Sequence, residues 1–253
     1  MRDSRVIPVL LMDEGQLSKT TRFSSPRYVG DPVNTVRIFS EKGADELVVL
    51  DVGAGPAGRE PDFATLATLA AEAFMPLAYG GGIRSLEHAE AVLDLGVEKV
   101  ILGAAAVEQL DVLHRIAARS GVQSVVACID YTERSLGRGQ RVVTGRGKIH
   151  HDVDPVTQAV RCVEAGAGEI LLQSVQRDGT QGGYDLDTIR RVGSAVPVPV
   201  IACGGAGSLA DLQAGIGAGA SAVAAGSMFT FYGRHRAVLI TYPSEDTLET
   251  LLP

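Results

Sequence analysis

The sequence has no tryptophan, few aromatic residues and only three cysteines. Cys128, Cys162 and Cys203 lie within apolar segments and are odd in number, so we predict buried thiols in a reducing compartment and no disulfide framework or metal site. No apolar run is long enough for a membrane span and no signal-peptide pattern is present, which predicts a cytoplasmic protein. The formal net charge of −7 disfavours bulk electrostatic binding to nucleic acid or a membrane surface.

Glycine, in contrast, is abundant, with 30 residues, and it marks an internal repeat. The segment 76–104 aligns with 199–227 at a constant offset and without a gap. Each copy contains an apolar strand, paired glycines, a helical pattern and a second apolar strand ending in glycine. About 250 residues is the usual length of a (β/α)8 barrel. We therefore predict one α/β domain, a (β/α)8 TIM barrel built from duplicated half-barrels at roughly 1–120 and 121–253.

Eight short apolar runs alternate with helical patterns, as is typical of parallel strands buried on both faces. A doubly wound open sheet is the alternative, but it does not predict the duplication. The stretch 131–151 is too long for a plain loop and predicts a hairpin or lid. After Gly226 we expect the eighth helix to be short, late or replaced. The predicted strands are about Val6–Leu11, Glu46–Val52, Pro76–Gly80, Lys99–Gly103, Ser124–Asp130, Glu169–Ser174, Val198–Cys203 and Ala220–Gly226.

Glycines cluster at the C-terminal ends of the predicted strands, where barrel enzymes carry their chemistry. Backbone N–H groups at glycine can approach a phosphate closely, and the N-terminus of the following helix favours an anion. The pattern predicts phosphate binding, most clearly after strands seven and eight, with ordinary tight turns as the alternative. The predicted phosphate-binding residues are Gly82, Gly103, Asp178, Gly179, Gly205, Gly226 and Ser227.

Ionisable side chains also lie at the C-terminal ends of the predicted strands. Asp51, Asp130 and Asp178 end or follow buried strands, and Lys19 follows the first strand. Desolvation at the mouth of a barrel can raise the pKa of a carboxyl group toward a catalytically useful value. Alternatively, the aspartates cap helices or hold loops in place. The unbroken apolar strand before Asp130 favours the acid/base interpretation for that residue.

Charged residues begin four of the buried strands at the opposite end of the predicted barrel. If the side chains project inward, two cations and two anions form a ring across the barrel floor. Buried charges are costly unless they pair, and here the signs balance. A purely structural ion-paired plug, or a solvated rim, is the alternative, because this face of a barrel generally serves stability. The four residues are Arg5, Glu46, Lys99 and Glu169.

Ordered motifs along the chain resemble the cyclase subunit of imidazole glycerol phosphate synthase (HisF): IPVLL, GDPVNTVRIFSEKGADELVVLD, GGGI, GVEKV, VVACID, GAGEILL, RDGTQGGYD, IACGGAG and AVAAGS. The resemblance implies a half-barrel-duplicated enzyme with two phosphate sites. We expect no metal and no cofactor. The resemblance also implies a HisH-like glutaminase subunit docked at the floor, which sends ammonia through the barrel. The four floor charges fall on the positions of that family's ammonia gate.

The resemblance also implies two catalytic aspartates, at the ends of strands one and five. Asp130 matches the second, but Leu11 stands at the position of the first. Leucine neither accepts nor donates a proton, so the paired acid/base mechanism cannot run here as in the cyclase. Asp13 shares a strand face with Leu11 but lies about 6.6 Å further along.

The phosphate sites of the family are kept in part. After strand four, the family has Asn and Thr side chains, whereas this chain has Gly103 and Ala104. The site after strands seven and eight is intact, with Gly205, Gly226 and Ser227.

A closer resemblance is to HisF-like paralogues of the AglZ type, encoded with surface-sugar and lipopolysaccharide pathways that install acetamidino groups. It rests on RYVGDPVN, FMPLAYGGGI, IACGGAGSLAD, the tail GRHRAVLITYP and VLL in strand one. It implies that ammonia passes to a downstream amidotransferase-type enzyme acting on a nucleotide sugar or glycan precursor. Two alternatives stay open: a histidine-pathway cyclase in which Asp130 works with another group, and a non-catalytic barrel that binds a phosphorylated ligand and activates its glutaminase.

Overall fold

A closed sheet of eight parallel strands forms the centre of the protein, which is described by a computed structural model for residues 4–134 and 139–252. Each strand pairs with the next, and the first pairs with the last from Arg5–Ala222 to Pro8–Ala225. The predicted (β/α)8 barrel is therefore confirmed. The strands are β1 Arg5–Asp13, β2 Leu47–Asp51, β3 Leu77–Gly80, β4 Lys99–Leu102, β5 Val125–Glu133, β6 Glu169–Ser174, β7 Val200–Cys203 and β8 Ala222–Ala225.

Helices surround the barrel and begin where the sequence supplies capping side chains. Ser85 and Ser208, which are equivalent in the repeat, accept hydrogen bonds of 3.3 Å from the backbone N–H of His88 and Asp211. The repeat in sequence is thus also a repeat in local structure. The helices are Pro32–Glu41, Phe63–Glu72, Leu86–Leu93, Ala105–Glu108, Leu110–Ser120, Pro155–Glu164, Leu186–Ala195, Leu209–Gly217, Ser227–Thr230 and Glu245–Leu251, with a 3-10 turn at Val122–Ser124.

Strand β1 shows how one strand connects the two ends of the barrel. Side chains alternate between the two faces of a strand, so every second residue points into the interior. Arg5 lies at the floor, Ile7 and Val9 belong to the buried apolar cluster inside the barrel, and Leu11 packs at its edge. A separate and larger apolar cluster lies between the strands and the helices. A single strand therefore carries a charged residue at the floor, apolar residues in the interior and a residue at the edge of the mouth.

Two hairpins extend beyond the C-terminal ends of the strands. The first, Gln16–Thr21 with Ser24–Gly30, was not predicted from the sequence. The second covers the stretch 131–151, where β5 pairs with Gln140–Thr144 and that strand pairs with Ile149–His150. This arrangement agrees with the predicted hairpin or lid, although residues 135–138 of that stretch lie outside the described part.

The C-terminal segment replaces a regular eighth helix. The short helix Ser227–Thr230 precedes a two-residue pairing of Phe231–Tyr232 with Ala237–Val238, and a helix appears only at Glu245–Leu251. The eighth helix is thus both short and late, in agreement with the sequence. Tyr242 returns to β1, where its hydroxyl donates a 2.9 Å hydrogen bond to the carbonyl oxygen of Val6. Across the described ranges, none of the helices combines the length and apolar character that a membrane crossing requires.

Candidate functional site

The four charged residues at the barrel floor form one closed ring of ion pairs. Arg5 contacts Glu46 and lies 2.9 Å from Glu169. The ammonium of Lys99 lies 3.1 Å from Glu46 and 3.2 Å from Glu169. Each cation therefore bridges both carboxylates, and each carboxylate accepts from both cations. The structure brings together the four residues that the sequence placed at strand starts.

The ring is closed and largely shielded from water. The side chain of Glu46 is only 2% exposed, and that of Arg5, the outermost member, is 28% exposed. Burial lowers the pKa of the Arg5 guanidinium, but the attraction of Glu46 and Glu169 outweighs this effect and leaves the pKa above its usual value. Because the four charges cancel, the ring avoids the cost of an unpaired buried ion. A small molecule that enters the barrel from this end must pass between these side chains.

At the opposite end, the strand ends and hairpins enclose a cavity of about 510 Å³. This volume is in the range of small-molecule sites. Within the described ranges, no group of three His, Cys, Asp or Glu side chains is arranged to hold a metal ion. All eleven residues that the sequence placed at this end line the cavity: Leu11, Lys19, Asp51, Gly82, Gly103, Asp130, Asp178, Gly179, Gly205, Gly226 and Ser227.

Lys19 reaches the cavity from the first hairpin and is only 4% exposed. Its ammonium donates a hydrogen bond to the carbonyl oxygen of Val9, and a Cβ atom at Gly226 would lie 2.7 Å from it. Burial lowers the pKa of Lys19 to about 8, although Asp178 and Cys203 favour the charged form. Lys19 can therefore exchange a proton near neutral pH.

Asp130 lies near the end of β5, inside the cavity. Burial raises its pKa to about 7, and the charge of Asp178 adds to the rise. The thiol of Cys128, two residues earlier on the same strand face, donates a 3.5 Å hydrogen bond that opposes the shift. A carboxyl group with this pKa can act as an acid or a base near neutrality, which supports the acid/base interpretation of Asp130.

Asp51 fits the alternative in which a strand-end carboxylate holds a loop. It accepts hydrogen bonds from the backbone N–H groups of Gly53 and Ala54, at 3.1 and 3.0 Å. Arg59 lies 3.5 Å away and forms an ion pair with it. Burial raises the pKa of this carboxyl group despite these partners. The contacts fasten the loop after β2 beside the cavity.

Asp178 likewise holds a neighbouring segment in place, in this case the first hairpin. It accepts a 2.8 Å hydrogen bond from the hydroxyl of Thr20 and a 3.2 Å bond from the backbone N–H of Phe23. A Cβ at the neighbouring Gly179 would lie 2.1 Å from the carbonyl oxygen of Thr20, so the hairpin approaches the backbone there very closely. The pair Asp178–Gly179 thus anchors a cavity wall, and burial raises the pKa of the Asp178 carboxyl group.

Leu11 offers an apolar surface at the position where the resemblance in sequence implies a first catalytic aspartate. It is the pairing partner of Leu50 on β2, and both side chains pack at the edge of the apolar cluster inside the barrel. Asp13 is directed elsewhere, into a 3.2 Å ion pair with Arg146 from the second hairpin. The cavity therefore has an apolar side chain at position 11, and its other aspartates, Asp51 and Asp178, are tied to neighbouring loops.

The glycines at the mouth allow backbone to form the wall of the cavity. Gly205 has a φ of +120°, and a Cβ atom there would lie 2.2 Å from the carbonyl oxygen of Gly183, so no larger residue fits. Gly103 differs, because a Cβ atom there would meet open space. Gly205 is thus required for close packing against Gly183, whereas Gly103, after β4, leaves room at the cavity wall.

Sequence reasoning missed several cavity residues. Thr20 and Phe23 were missed because the first hairpin was not predicted. Cys128 was assigned to the core, although its position two residues before Asp130 places both on one strand face. The alternation of side chains along a strand could therefore have placed the Cys128 thiol in the cavity. No feature of the sequence indicated that Thr20 and Phe23 would line it.

Comparison with known proteins identifies relatives over nearly the whole chain. The family model described as "Histidine biosynthesis protein" matches residues 5–236. A Pseudomonas aeruginosa protein named "Putative imidazole glycerol phosphate synthase subunit hisF2" is 49% identical over 246 residues, which covers 97% of this chain and 98% of that protein. The protein named imidazole glycerol phosphate synthase subunit HisF of Streptomyces coelicolor is 41% identical over 227 residues, or 90% of each chain.

Proposed function

The chain belongs to the histidine biosynthesis protein family as a HisF-like subunit, and we propose that it passes on ammonia instead of consuming it. A glutaminase partner docked at the floor releases the ammonia, and the barrel delivers it to the cavity at the mouth. The acceptor is an amidotransferase-type enzyme that forms an acetamidino group on a nucleotide sugar or glycan precursor. The proposal assigns the four floor charges to an ammonia gate.

The main support for this proposal is the difference between the charged ring at the floor and the acid/base residues at the mouth. The floor has the full ring of Arg5, Glu46, Lys99 and Glu169, each in contact with two partners. The mouth has Asp130, but Leu11 lies at the position where the cyclase mechanism needs a second acid/base side chain. This contrast supports a barrel that receives ammonia at the floor and does not cyclise a substrate at the mouth.

The interior between the two ends supports the passage of a neutral molecule. It is filled with buried apolar side chains, including Ile7, Ala78, Ala222 and Ala224. Transfer of an ion into such surroundings is far more costly than transfer of a small neutral molecule. An apolar barrel behind a charged ring therefore favours ammonia over the ammonium ion.

An exposed side chain at the floor supports a protein partner there. Phe74, three residues before β3, is 86% exposed. Large apolar side chains in this situation often anchor interfaces, because a partner that covers them gains their full burial. Phe74 shares the floor end of the barrel with the ring, and it is therefore a suitable contact for the glutaminase.

A second candidate function, the cyclase of histidine biosynthesis, is favoured by the shifted pKa values of two side chains that line the cavity. The pKa of Asp130 is raised by burial to about 7, and burial lowers that of Lys19 to about 8. Two proton-exchanging groups therefore face one cavity, and in this second function Lys19 takes the place of the missing aspartate.

Ammonia-dependent turnover of the phosphoribulosyl-formimino carboxamide substrate separates the two functions. The Streptomyces coelicolor relative serves as a positive control under the same conditions. We expect no cyclisation by this chain above the enzyme-free background. Turnover within about tenfold of the control would overturn the proposed function and identify a cyclase with an altered acid/base pair.

A further inference from the structure

Two acid-free segments border the cavity at the mouth of the barrel. The chain carries a formal net charge of −7, yet residues 15–30 and 226–243 contain no Asp or Glu. The same segments supply five cations, and they form the first hairpin and the C-terminal hairpin. Positive charge is thus enriched at this end of an acidic protein, where residues 139–151 of the second hairpin also lack Asp and Glu, although Lys19 itself is buried. The cations are Lys19, Arg22, Arg27, Arg234 and Arg236.

The exposed apolar side chains are concentrated on the same two segments. In the described part of the chain, seven large apolar side chains are exposed, and four of them lie here. Tyr28 is 61% exposed and Tyr232 is 66% exposed, although both belong to regular strands. Tyrosine and arginine together are the composition typical of the energetically dominant part of protein interfaces. The four side chains are Tyr28, Tyr232, Val238 and Leu239.

Contacts between the hairpins hold this surface in shape. The guanidinium groups of Arg27 and Arg236 lie 5.2 and 4.6 Å from the centre of the Phe231 ring, one from each hairpin. Arg236 also lies 3.5 Å from the carbonyl oxygen of Gly179, which it contacts as a donor. A surface that is already ordered loses little entropy when a partner binds.

This surface lies beside the exit from the cavity. Lys19 and Phe23 of the first hairpin line the cavity, as does Gly179, the partner of Arg236. A molecule leaving the barrel at this end therefore passes the hairpins. Ammonia released there into water would be lost to the acceptor reaction, so an efficient acceptor must cover the mouth.

We propose that the hairpin face, defined by Arg27, Tyr28, Tyr232, Arg234, Val238 and Leu239, docks the enzyme that consumes the ammonia through an acidic, partly apolar surface of that enzyme. This inference rests on the proposed function for the identity of the partner. The charge segregation points to an acidic partner. The exposed side chains of Tyr28 and Tyr232 face solvent and do not line the cavity. Their position suits a docked protein better than a small anion bound in the cavity.

Site-specific photocrosslinking tests the docking surface with the full chain in its native host. p-Benzoylphenylalanine replaces Tyr232 in one variant, Phe74 at the floor in a second and His114 on the outer helix Leu110–Ser120 in a third. We expect the Tyr232 variant to form an adduct with an enzyme that incorporates ammonia, the Phe74 variant to form one with the glutaminase, and the His114 variant to form neither. An adduct at Tyr232 with a second copy of this chain, or no adduct there, overturns the docking surface.

Titration with the purified acceptor enzyme then tests the charge complementarity. Arg234→Glu reverses an exposed charge on the hairpin face, and Arg115→Glu makes the same change on the outer helix. We expect Arg234→Glu to weaken the Kd by about tenfold or more, and Arg115→Glu to change it by less than about twofold. Equal effects of the two variants overturn the proposal. Cyclase turnover would overturn the proposed function, whereas loss of only the Tyr232 adduct overturns the hairpin face alone.

Discussion

Lys99 on β4 lies 3.1 Å from Glu46, the most deeply buried carboxylate of the floor ring. Glu46 immediately precedes β2, so the contact joins two strands that are not neighbours in the barrel. Lys99 also contacts Glu169 at the start of β6, 3.2 Å away. One ammonium group therefore closes the floor from one side, and Arg5 closes it from the other.

Replacement of Lys99 by Ala should uncouple glutamine hydrolysis from use of the ammonia. The variant leaves two carboxylates sharing one cation, which opens the ring and adds uncompensated negative charge. We expect glutamate formation to continue while acceptor product per glutamate falls, and the free energy of unfolding to fall by about 1–3 kcal/mol. Reconstitution with the glutaminase and the acceptor enzyme measures the ratio, and urea unfolding measures the stability.

Lys42→Ala is the matched control, because Lys42 is an exposed lysine at the C-terminal end of the helix Pro32–Glu41, outside the ring. It should leave both the ratio and the stability close to those of the wild type. If Lys99→Ala keeps wild-type coupling, the ring is a structural plug and not a gate.

Restoring a carboxylate at position 11 should restore cyclisation chemistry. Leu11→Asp places an acid on β1 in the cavity that already holds Asp130 on β5. We expect ammonia-dependent turnover to rise at least about tenfold above the wild type, since one positioned proton-transfer group typically contributes 10²–10⁴-fold. Loss of the Leu11 packing should also lower the stability by about 1–3 kcal/mol. Steady-state kinetics with the phosphoribulosyl-formimino carboxamide substrate measures the gain.

Leu11→Asn separates the effect of the carboxylate from the effect of a polar side chain of similar size. It should lose comparable stability and gain no turnover. An equal gain from both variants would show that shape, and not proton transfer, limits the reaction at this position.

Asp130 should make the stability of the protein depend on pH. Burial raises its pKa from 3.8 to about 7 in the folded state, so the folded protein holds this proton more tightly than the unfolded chain. Its contribution to the free energy of unfolding is therefore greatest below pH 3.8 and falls as the pH rises to about 7. Asp130→Asn removes this dependence, and at pH 8 the variant should be more stable than the wild type by about 1–3 kcal/mol.

Urea unfolding between pH 4 and 8 measures the slope, with Asp111→Asn on an exposed helix position as the control. The control should follow the wild-type curve. A wild type and an Asp130→Asn variant with parallel curves would contradict the raised pKa.

The barrel and the floor ring could be predicted from the sequence because both depend on strand periodicity. A run such as Lys99–Leu102 is apolar after its first residue, and parallel strands align such first residues at one end of a barrel. The eight apolar runs indicated the number of strands, and the repeat around the paired glycines favoured a closed barrel over an open sheet. No contact between distant segments had to be known for either conclusion.

The holding roles of Asp51 and Asp178 could not be predicted, because they depend on loop and hairpin contacts that strand periodicity does not show. Asp51 and Asp130 each end an apolar run, whereas Asp178 comes three residues after Val175, and the unbroken run before Asp130 favoured an acid/base role for that residue. Asp51 is tied by Arg59 and Asp178 by Thr20, whereas Asp130 accepts a weak hydrogen bond from the thiol of Cys128. The difference comes from tertiary contacts, chiefly those of a hairpin that strand periodicity does not show.

The phosphate site after β7 and β8 should bind inorganic phosphate. Gly205 is the sensitive position, because a Cβ atom there would lie 2.2 Å from the carbonyl oxygen of Gly183. Crystals soaked in phosphate should show density at Gly205, Gly226 and Ser227 in the wild type, and Gly205→Ala should abolish it. Gly217→Ala is the matched control, because a Cβ atom at Gly217 meets open space at the end of the helix Leu209–Gly217.

The control should keep the density, and it should not lose stability, because alanine is a better helix former than glycine. Titration of each variant with phosphate, followed by thermal unfolding, gives a second readout, since a ligand that binds only the folded state raises Tm. The wild type and Gly217→Ala should show the rise in Tm, and Gly205→Ala should not. Density confined to the region of Gly103 after β4 would place the phosphate site at the other half of the barrel and contradict this assignment.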